Sequence, residues 1–295
     1  MELKLNDNPT LTGIAKYYLD NVIKGNYADS TYKAYKARLD KHILPGLGNV
    51  PVRELKKLDA QNLIYSLSSQ DPPLSANTVR LVRSILNGVL DFAVDMEIVS
   101  RNVSDRIKLP KHSKYQPRIY TDAEIHALLE VTKDTILYLP VLLAAKTGLR
   151  RSEILSLMWS DIDFKNKVIT VTKTSIRRSF GAPKTLYSHR SLQPPDGVMS
   201  VLKEFSCAHK TLDPVSGQAF VVTKENGSPY NPSYISRMFK EFLTENDLPA
   251  IRFHDLRHAY AHHAHYNGTP IKKLSEDLGH KSAATTLDNY VHNNN

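Results

Sequence analysis

The side chains best suited to chemistry lie in the last part of the chain, where two histidines, an arginine and a tyrosine follow one another closely. His254 and Arg257 are three positions apart, so on a helix their side chains would share one face. Arginine offers a planar fork of donors that matches phosphate oxygens, histidine carries a proton near neutral pH, and tyrosine adds a hydroxyl. Together with His280 and Tyr290, these residues form a set suited to phosphoryl transfer.

Further candidates lie upstream. Arg150 and Arg151 come directly before the predicted start of a helix that contains Glu153. The helix macrodipole disfavours positive charge at that end, and sequences break such local rules most often at functional sites. Pairing of an arginine with Glu153 on the surface is the alternative. Lys184 lies in the segment 182–194, which resembles a turn between two short strands; taken alone, it is better explained as a solvated lysine.

The composition is that of a globular protein with a polyanionic partner. The chain has 295 residues, 41% apolar and 23% charged, and its 39 Lys and Arg exceed its 30 Asp and Glu, giving a formal charge of +9. Bases outnumber acids by 16 to 12 before Ser113 and by 23 to 18 from Ser113 onward. Nucleic acid is the simplest partner for such a chain, and both halves are basic enough to face it.

The single Cys207 excludes an intramolecular disulfide and a cysteine-rich zinc site, which is typical of a reducing cytoplasm. The first residues contain no basic segment followed by an apolar run, and no stretch reaches the roughly 18 apolar residues that a membrane span needs. We therefore expect a soluble cytoplasmic protein without a membrane partner.

The elements that must position these residues begin with a helical half. Apolar residues recur at helical spacing from 10 to 109, which predicts an all-α domain. Two of its helices are expected over 59–68 and 77–94. Ser75 and Asn77 are the candidate N-caps of the second of these helices.

Two features of this half bear on its function. The Pro-Gly-Leu-Gly segment at 45–48 is expected to interrupt the helices. The segment 30–42 mixes bases with tyrosines, a combination suited to contacts with phosphate and sugar, although a charged, solvated helix face would look the same. The candidate DNA contacts are Thr31, Tyr32, Lys33, Tyr35, Lys36, Arg38 and Lys41.

The segment 111–117 is polar, basic and bracketed by prolines, which favours an extended linker. We place a domain over 1–110 before it and a second domain over 118–295 after it. Thr121 and Glu124 form a capping box that predicts the first helix of the second domain.

The second domain is expected to combine helices with a few strands. A helix over 136–145 should end at Gly148 as its C-terminal cap. The segment 161–172 carries β-branched residues around a turn and predicts strands. Further helices are expected near 198–205 and over 232–243.

Five motifs, in their order along the chain, resemble those of the tyrosine recombinases, also called phage-integrase-type site-specific recombinases. The matching segments are Thr147-Gly-Leu-Arg150-Arg-Ser-Glu153, Pro183-Lys184-Thr185, His254-Asp-Leu-Arg257-His258, Leu278-Gly-His280-Lys-Ser and Tyr290. Five elements in the family's order are highly specific, and the resemblance covers nearly the whole chain. The segment 30–48 also resembles the core-binding domain of integrases from phages and conjugative transposons.

The resemblance implies six catalytic residues, namely Arg150, Lys184, His254, Arg257, His280 and Tyr290. The two arginines would neutralise the scissile phosphate, and the tyrosine would attack phosphorus to form a 3′-phosphotyrosine. The first histidine would help to take up the phenol proton, the lysine would protonate the departing 5′ oxygen, and the second histidine would donate a hydrogen bond to the phosphate. This scheme needs no metal ion and no other cofactor.

The implied fold is mainly α with a small antiparallel β-sheet in the C-terminal domain, that is, an all-α core-binding domain and an α+β catalytic domain. The implied function is the integration or excision of a mobile element at specific core sites in double-stranded DNA. Arg151, Arg252 and Lys281 would add contacts to the DNA. The implied partners are further copies of the chain in a tetramer on DNA and an excisionase or a host bending protein, at the nucleoid in the cytoplasm.

Several alternatives remain open. His258 and His262 are spaced for a metal site, but no His-Glu-x-x-His arrangement and no nearby cysteine accompany them. Tyr260 and Tyr266 are alternative nucleophiles by chemistry alone. A DNA-binding regulator would not need the phenol, and a type IB topoisomerase would share the chemistry, whereas the core-binding half and the Leu-Gly-His box favour a recombinase. No motif reports the target site or separates integration from excision and resolution.

Five residues follow Tyr290, whereas family members usually continue into a segment that docks on a neighbouring protomer. Such a head-to-tail exchange closes a ring of four subunits. We therefore expect a chain ending here to be a monomer without DNA and to cleave a single site better than it completes strand exchange. A small arm-binding domain before the helical half is likewise not expected in this sequence.

Overall fold

The computed structural model describes residues 8–111, 116–172, 190–208 and 219–280. The chain divides between Lys114 and Tyr115 into two compact units. In the described ranges the chain is mostly helical, with one three-stranded antiparallel sheet in the second unit. The predicted fold class is thereby confirmed.

The first unit is a bundle of helices around one apolar core. Its α-helices are α1 Leu11–Tyr18, α2 Asp29–Arg38, α3 Leu44–Leu47, α4 Lys57–Ser69 and α5 Ala76–Asp95. Two π-helical turns, Leu19–Ile23 and Leu39–Ile43, prolong α1 and α2. The apolar stripe of α5 fits the predicted helical period, and its Val82, Leu86 and Val89 are fully buried.

The helical run of this part of the chain continues through Pro45, which falls in the first turn of α3, to Leu47. The predicted interruption at 45–48 therefore falls at Gly48. Gly48 then ends α3 by donating its N–H to the carbonyl of Leu44. At α5, Ser75 is the N-cap and its hydroxyl accepts from the N–H of Thr78, whereas Asn77 lies inside the helix.

The second unit begins at the predicted capping box, where Thr121 and Glu124 bond each other's backbone N–H. Its α-helices are α6 Asp122–Thr132, α7 Tyr138–Thr147, α8 Arg151–Ile154, α9 Asp196–Ala208, α10 Pro232–Glu245, α11 Asp255–Tyr266 and α12 Ile271–Leu278. The strands β1 Ile162–Asp163, β2 Val168–Val171 and β3 Arg190–Leu192 pair in that order, with Ile169 opposite both Ile162 and Leu192. The three apolar side chains cover one face and join the core.

The packing of α11 on α7 positions much of the site described below. α7 is buried along nearly its whole length, and α11 meets it with the fully buried Leu256 and Ala259. α7 is therefore the central helix of the second unit, and the chain leaves it at a left-handed glycine. Among the described helices, none is long and apolar enough to span a bilayer.

Candidate active site

The end of α7 places the first arginine. Gly148 caps α7 with φ +66°, a conformation that glycine adopts without strain, and the chain turns sharply. Arg150 follows in an extended conformation as the N-cap of the four-residue helix α8. The carboxylate of Glu153 accepts the backbone N–H of Arg150 at 2.8 Å. An acid in the first turn of α8 thus offsets the two arginines that the helix dipole disfavours.

Glu153 is the centre of a cluster of guanidinium groups. Its side chain is 1% exposed, and its oxygens lie 2.9 Å from Arg150 Nη1, 2.8 Å from Arg190 Nη2 and 4.0 Å from Arg257 Nη1. Burial raises the pKa of this carboxyl, but the hydrogen bonds and charge of Arg190, and then those of Arg150, lower the pKa further, to about 2. Glu153 is therefore ionised at neutral pH.

The second arginine is buried and is bound mainly by the backbone. Arg257, on α11, donates from Nη1 to the carbonyl of Gly148 and from Nη2 to the carbonyl of Leu278, both at 2.6 Å. These carbonyls lie at the C-terminal ends of α7 and α12, where the helix dipole favours a cation. Gly279 ends α12 with φ +65°, and its carbonyl accepts from Arg150 Nη2 at 3.1 Å.

His280 completes this cluster. Its Nε2 is 3.1 Å from Arg257 Nη2. Because arginine only donates, Nε2 accepts this bond, and the neutral ring carries its proton on Nδ1. Burial, followed by the charges of Arg257, Arg150 and Arg190, lowers the pKa of His280 to about 4. The imidazole is therefore neutral at pH 7 in the free protein.

His254 stands at the N-cap of α11 and faces solvent, yet protein atoms crowd its ring on the inner side. This desolvation, together with His258 and Arg257, lowers its pKa to about 4, although the nearby charge of Asp255 acts in the opposite direction. The rings of His254 and His258 meet edge to face, with 5.1 Å between their centroids.

A cleft of about 550 Å³ opens beside these residues. Arg150 and His254 line it, together with the cations Arg151, Lys240 and Arg252, and none of the described lining residues is acidic. Arg151 donates to the hydroxyl of Ser236, whereas Arg252 forms a salt bridge with the buried Asp255 at 3.0 Å. The cleft is thus a positively charged surface suited to phosphate groups.

Four of the six predicted catalytic residues come together here, namely Arg150, His254, Arg257 and His280. Lys184 and Tyr290 lie outside the described residues, as does the predicted DNA contact Lys281. The other two predicted contacts of this unit, Arg151 and Arg252, line the cleft.

The predicted DNA contacts of the first unit lie on α2 and the π-helical turn after it. No residue of α2 is fully buried, and Lys33 and Lys36 are exposed, whereas Arg38 is half-buried and donates to the carbonyl of Ala34 at 3.0 Å. Lys33 pairs with Asp29 and Lys36 with Asp40, both four residues apart and at 2.8 and 2.6 Å. Such exposed pairs contribute little to stability, so a phosphate can replace the carboxylates at low cost.

The sequence-based prediction missed one member of the cluster. Arg190 lies at the start of β3, in the segment 182–194 that the sequence marks only as a turn between two short strands; it is 9% exposed and binds both oxygens of Glu153. Glu153 was considered as a surface partner of an arginine, yet it is buried. The sequence carries no signal for this pair, because no short-range spacing links positions 153 and 190.

Within the described ranges, no group of three or more His, Cys, Asp or Glu side chains is arranged to hold a metal ion. Tyr260 is half-buried and packs against the Gly148 turn, and burial raises its pKa. Tyr266 is 82% exposed at the end of α11.

Comparison with known proteins identifies the family to which the chain belongs. The model of the Phage integrase family matches residues 118–295, and that of the Phage integrase, N-terminal SAM-like domain, matches residues 10–68. A Tyrosine recombinase XerC-like protein of Caldanaerobacter subterraneus subsp. tengcongensis is 26% identical, with 96% of this chain and 79% of the relative covered.

Solved structures share the fold at low sequence identity. The Tn1549 transposon integrase in complex with transposon right end DNA superposes with a TM-score of 0.81 and 22% identity, covering 95% of this chain and 94% of that one. The lambda integrase tetramer bound to a Holliday junction gives a TM-score of 0.75 and 18% identity, covering 97% and 78%. Since one family model spans more than half of the sequence, the chain belongs to the phage integrase family of tyrosine recombinases, enzymes that cleave and rejoin DNA through a catalytic tyrosine.

Proposed function

We propose that this site-specific recombinase integrates or excises a mobile element, with Arg150, Lys184, His254, Arg257, His280 and Tyr290 as its catalytic residues. The observation that carries the assignment is the cluster in which Glu153 and the helix-end carbonyls hold two arginines and His280 together. Arg150 and His254 of this set line the cationic cleft, which offers space for a phosphate.

In the proposed reaction, the two arginines stabilise negative charge on the phosphate. Attack on the scissile phosphate builds additional negative charge on its nonbridging oxygens. Donors that are already held in place stabilise that charge without reorganising, and each is worth roughly 3 kcal/mol. The buried carboxylate and carbonyl partners fix Arg150 and Arg257 before DNA arrives.

The proposed cleavage step forms one bond to phosphorus and breaks another. The phenol oxygen of Tyr290 forms a bond to phosphorus, and the bond from phosphorus to the 5′ oxygen breaks. His254, neutral at pH 7 because its pKa is about 4, is in the protonation state required to accept the phenol proton. Lys184 supplies a proton to the departing 5′ oxygen, and His280 hydrogen-bonds the phosphate. A 5′ hydroxyl attacking the phosphotyrosine reverses these steps and rejoins the strand.

The proposed partner is double-stranded DNA with specific core sites, on which four copies of the chain assemble. Support comes from the matched structures, one an integrase with transposon end DNA and the other a tetramer on a Holliday junction. We extend both properties to this chain because it has the same fold and family. An excisionase or a host bending protein would direct the choice between integration and excision, and the enzyme would act at the nucleoid.

We also propose that the two domains, 1–110 and 118–295, contact DNA together, with 111–117 as their linker. Both parts of the chain carry more bases than acids. Linking two weak contacts raises the effective concentration of the second, so the pair should bind more tightly than either part alone.

The deciding experiment is a covalent trapping assay on DNA that carries a nick near the cleavage site, so that the cleaved strand cannot be rejoined. The unaltered protein should become linked to DNA and migrate as a larger species on a denaturing gel. Tyr290→Phe should abolish this adduct and bind DNA with nearly unchanged affinity, because it loses only the hydroxyl.

Matched tyrosine variants serve as controls. Tyr266→Phe changes a tyrosine that is 82% exposed and should leave the adduct intact. Tyr260→Phe tests the half-buried alternative. An adduct that persists in Tyr290→Phe would reject Tyr290 as the nucleophile, and binding without any adduct from the unaltered chain would favour a DNA-binding regulator.

A further inference from the structure

The side chain of Arg190 is bound at all three of its guanidinium nitrogens. Its Nη1 and Nη2 bind the two oxygens of Glu153 at 3.0 and 2.8 Å, and its Nε donates to the carbonyl of Asp277 at 2.8 Å. These bonds join β3, α8 and the end of α12. Each joins residues that are at least 37 positions apart in sequence.

The local packing is built around this guanidinium. A Cβ atom at position 279 would lie 2.9 Å from Arg190 Nη1 and 3.1 Å from its Cζ, so Gly279 leaves the space that the guanidinium fills. Gly279 also adopts φ +65°, which favours glycine for a second, independent reason. The carbonyl of the same glycine accepts from Arg150. Arg190 thus touches the turn that binds Arg150 and precedes His280.

The charges explain why this contact matters for Arg150. Glu153 attracts Arg150, but a scissile phosphate must attract the same guanidinium. Arg190 occupies both carboxylate oxygens in a bidentate pair, a geometry that also fixes the plane of the carboxylate. With Arg190 in place, Glu153 holds the guanidinium of Arg150 through a single bond from Nη1 at 2.9 Å, besides accepting the backbone N–H of Arg150. Without Arg190, two hydrogen bonds to the carboxylate are lost, and Glu153 can bind the Arg150 guanidinium more closely, away from the phosphate.

We propose that Arg190 is a positioning residue for strand cleavage, which acts through Arg150: it keeps Glu153 from capturing the Arg150 guanidinium and fixes the end of α12, where the carbonyl of Gly279 binds Arg150. Arg190 does not itself touch the phosphate in this proposal. The inference rests on the proposed catalytic role of Arg150. It adds a residue on β3 to a site whose other described members lie at helix ends.

The test uses the full-length chain and Arg190→Lys, which keeps the positive charge but loses the bidentate geometry. Single-turnover cleavage is measured on nicked DNA that carries either a normal scissile phosphate or a methylphosphonate, in which a methyl group replaces one nonbridging oxygen and removes the charge. Arg190→Lys should cleave the normal phosphate at least about tenfold more slowly, because small misplacements of catalytic groups cost up to about 100-fold. On the methylphosphonate the loss should shrink to within about threefold, because less charge remains for Arg150 to neutralise.

The ratio of the two rates within one preparation is insensitive to the folded fraction, because misfolding scales both rates equally. Equal losses on both substrates would therefore overturn the proposal and leave Arg190 with a purely structural role. Arg118→Lys is the matched control, because Arg118 pairs with Glu124 at 2.6 Å near the surface. This variant should cleave both substrates at the rate of the unaltered chain.

A second comparison does not depend on the modified DNA. If Arg190 acts through Arg150, Arg190→Lys should slow cleavage by less than about threefold when added to Arg150→Lys, since mutations that act through one interaction are not additive. A further tenfold loss in that background would contradict the inference. If the proposed function itself is wrong, the unaltered chain will form no covalent product on either substrate. This outcome is distinct from rejection of the role of Arg190.

Discussion

The histidines of the site should govern how the stability of the free protein depends on pH. His254 and His280 have pKa values of about 4 in the folded chain, against 6.5 for an ordinary histidine. Between these values the unfolded chain binds protons that the folded chain does not, so the free energy of unfolding falls as the pH drops from 6.5 towards 4. Glu153, whose pKa is lowered from 4.5 to about 2, adds a loss only below pH 4.5.

Urea unfolding at pH 6.5 and at pH 4.5 measures this effect. His280→Gln removes one of the two groups and should reduce the difference in free energy of unfolding between the two pH values. His126→Gln is the control, because His126 lies on the exposed face of α6 and its replacement should leave the difference unchanged. An unchanged difference in His280→Gln would show that its imidazole already binds a proton in the folded state near pH 6.

For individual residues, the sequence predicts those whose type and spacing indicate chemistry. It does not reveal those that act through contacts between distant positions. His254 and Arg257 share a helical turn, so their spacing alone placed them together. Arg190 binds Glu153 across 37 positions, and nothing in a strand such as Arg-Ser-Leu reveals a buried carboxylate opposite its first residue. The burial of Glu153 depends on the same contact.

At the scale of the elements, the junction between α7 and α8 requires a glycine. Gly148 has φ +66°, and a Cβ there would approach Tyr260 Cδ1 to 2.4 Å and Leu278 Cδ2 to 2.8 Å. Gly148→Ala should therefore lower the free energy of unfolding by at least about 2 kcal/mol, from the left-handed backbone and the overpacking together. Because the carbonyl of Gly148 binds Arg257, cleavage should slow as well.

Gly197→Ala is the matched control for denaturant unfolding. Gly197 lies in α9, and an added Cβ would meet no atom within 4 Å. Its free energy of unfolding should stay the same or rise by up to about 1 kcal/mol, because alanine is the better helix former. A Gly148→Ala protein as stable as this control would show that the turn can change its conformation.

Elements with strong local signals were predictable, and those defined by packing were not. The capping box at Thr121 and the cap at Gly148 lie where local rules place them. By contrast, α8 is only one turn long, and its Glu153 is held by Arg190 from a distant strand, a contact that no local pattern indicates. The two π-helical turns also have no signature in the apolar period from which the helices were predicted.

For the molecule as a whole, the surplus of bases in both parts of the chain should make DNA binding strongly dependent on salt. Lys240 is exposed and lines the cationic cleft. Lys240→Ala should weaken binding to all sequences alike and reduce the slope of log affinity against log salt by about one, as expected for one lost phosphate contact.

The control is Lys203→Ala, which removes an exposed lysine of α9 that does not line the cleft. Its slope should match that of the unaltered chain in a fluorescence-anisotropy titration across salt concentrations. Equal slopes for the two variants and the unaltered chain would mean that DNA does not enter the cleft near Lys240.

The backbone carbonyls that bind the guanidinium groups also affect how the chain can drift during evolution. Arg257 is bound by the carbonyls of residues 148 and 278, Arg150 by that of 279 and Arg190 by that of 277. A carbonyl is retained whichever side chain its residue bears, so these contacts survive most coding changes at the accepting positions. Selection then acts on the arginines and on the two glycines whose backbone conformations aim the carbonyls. A site built in this way allows its surroundings to diverge widely, in keeping with a fold shared at 22% identity.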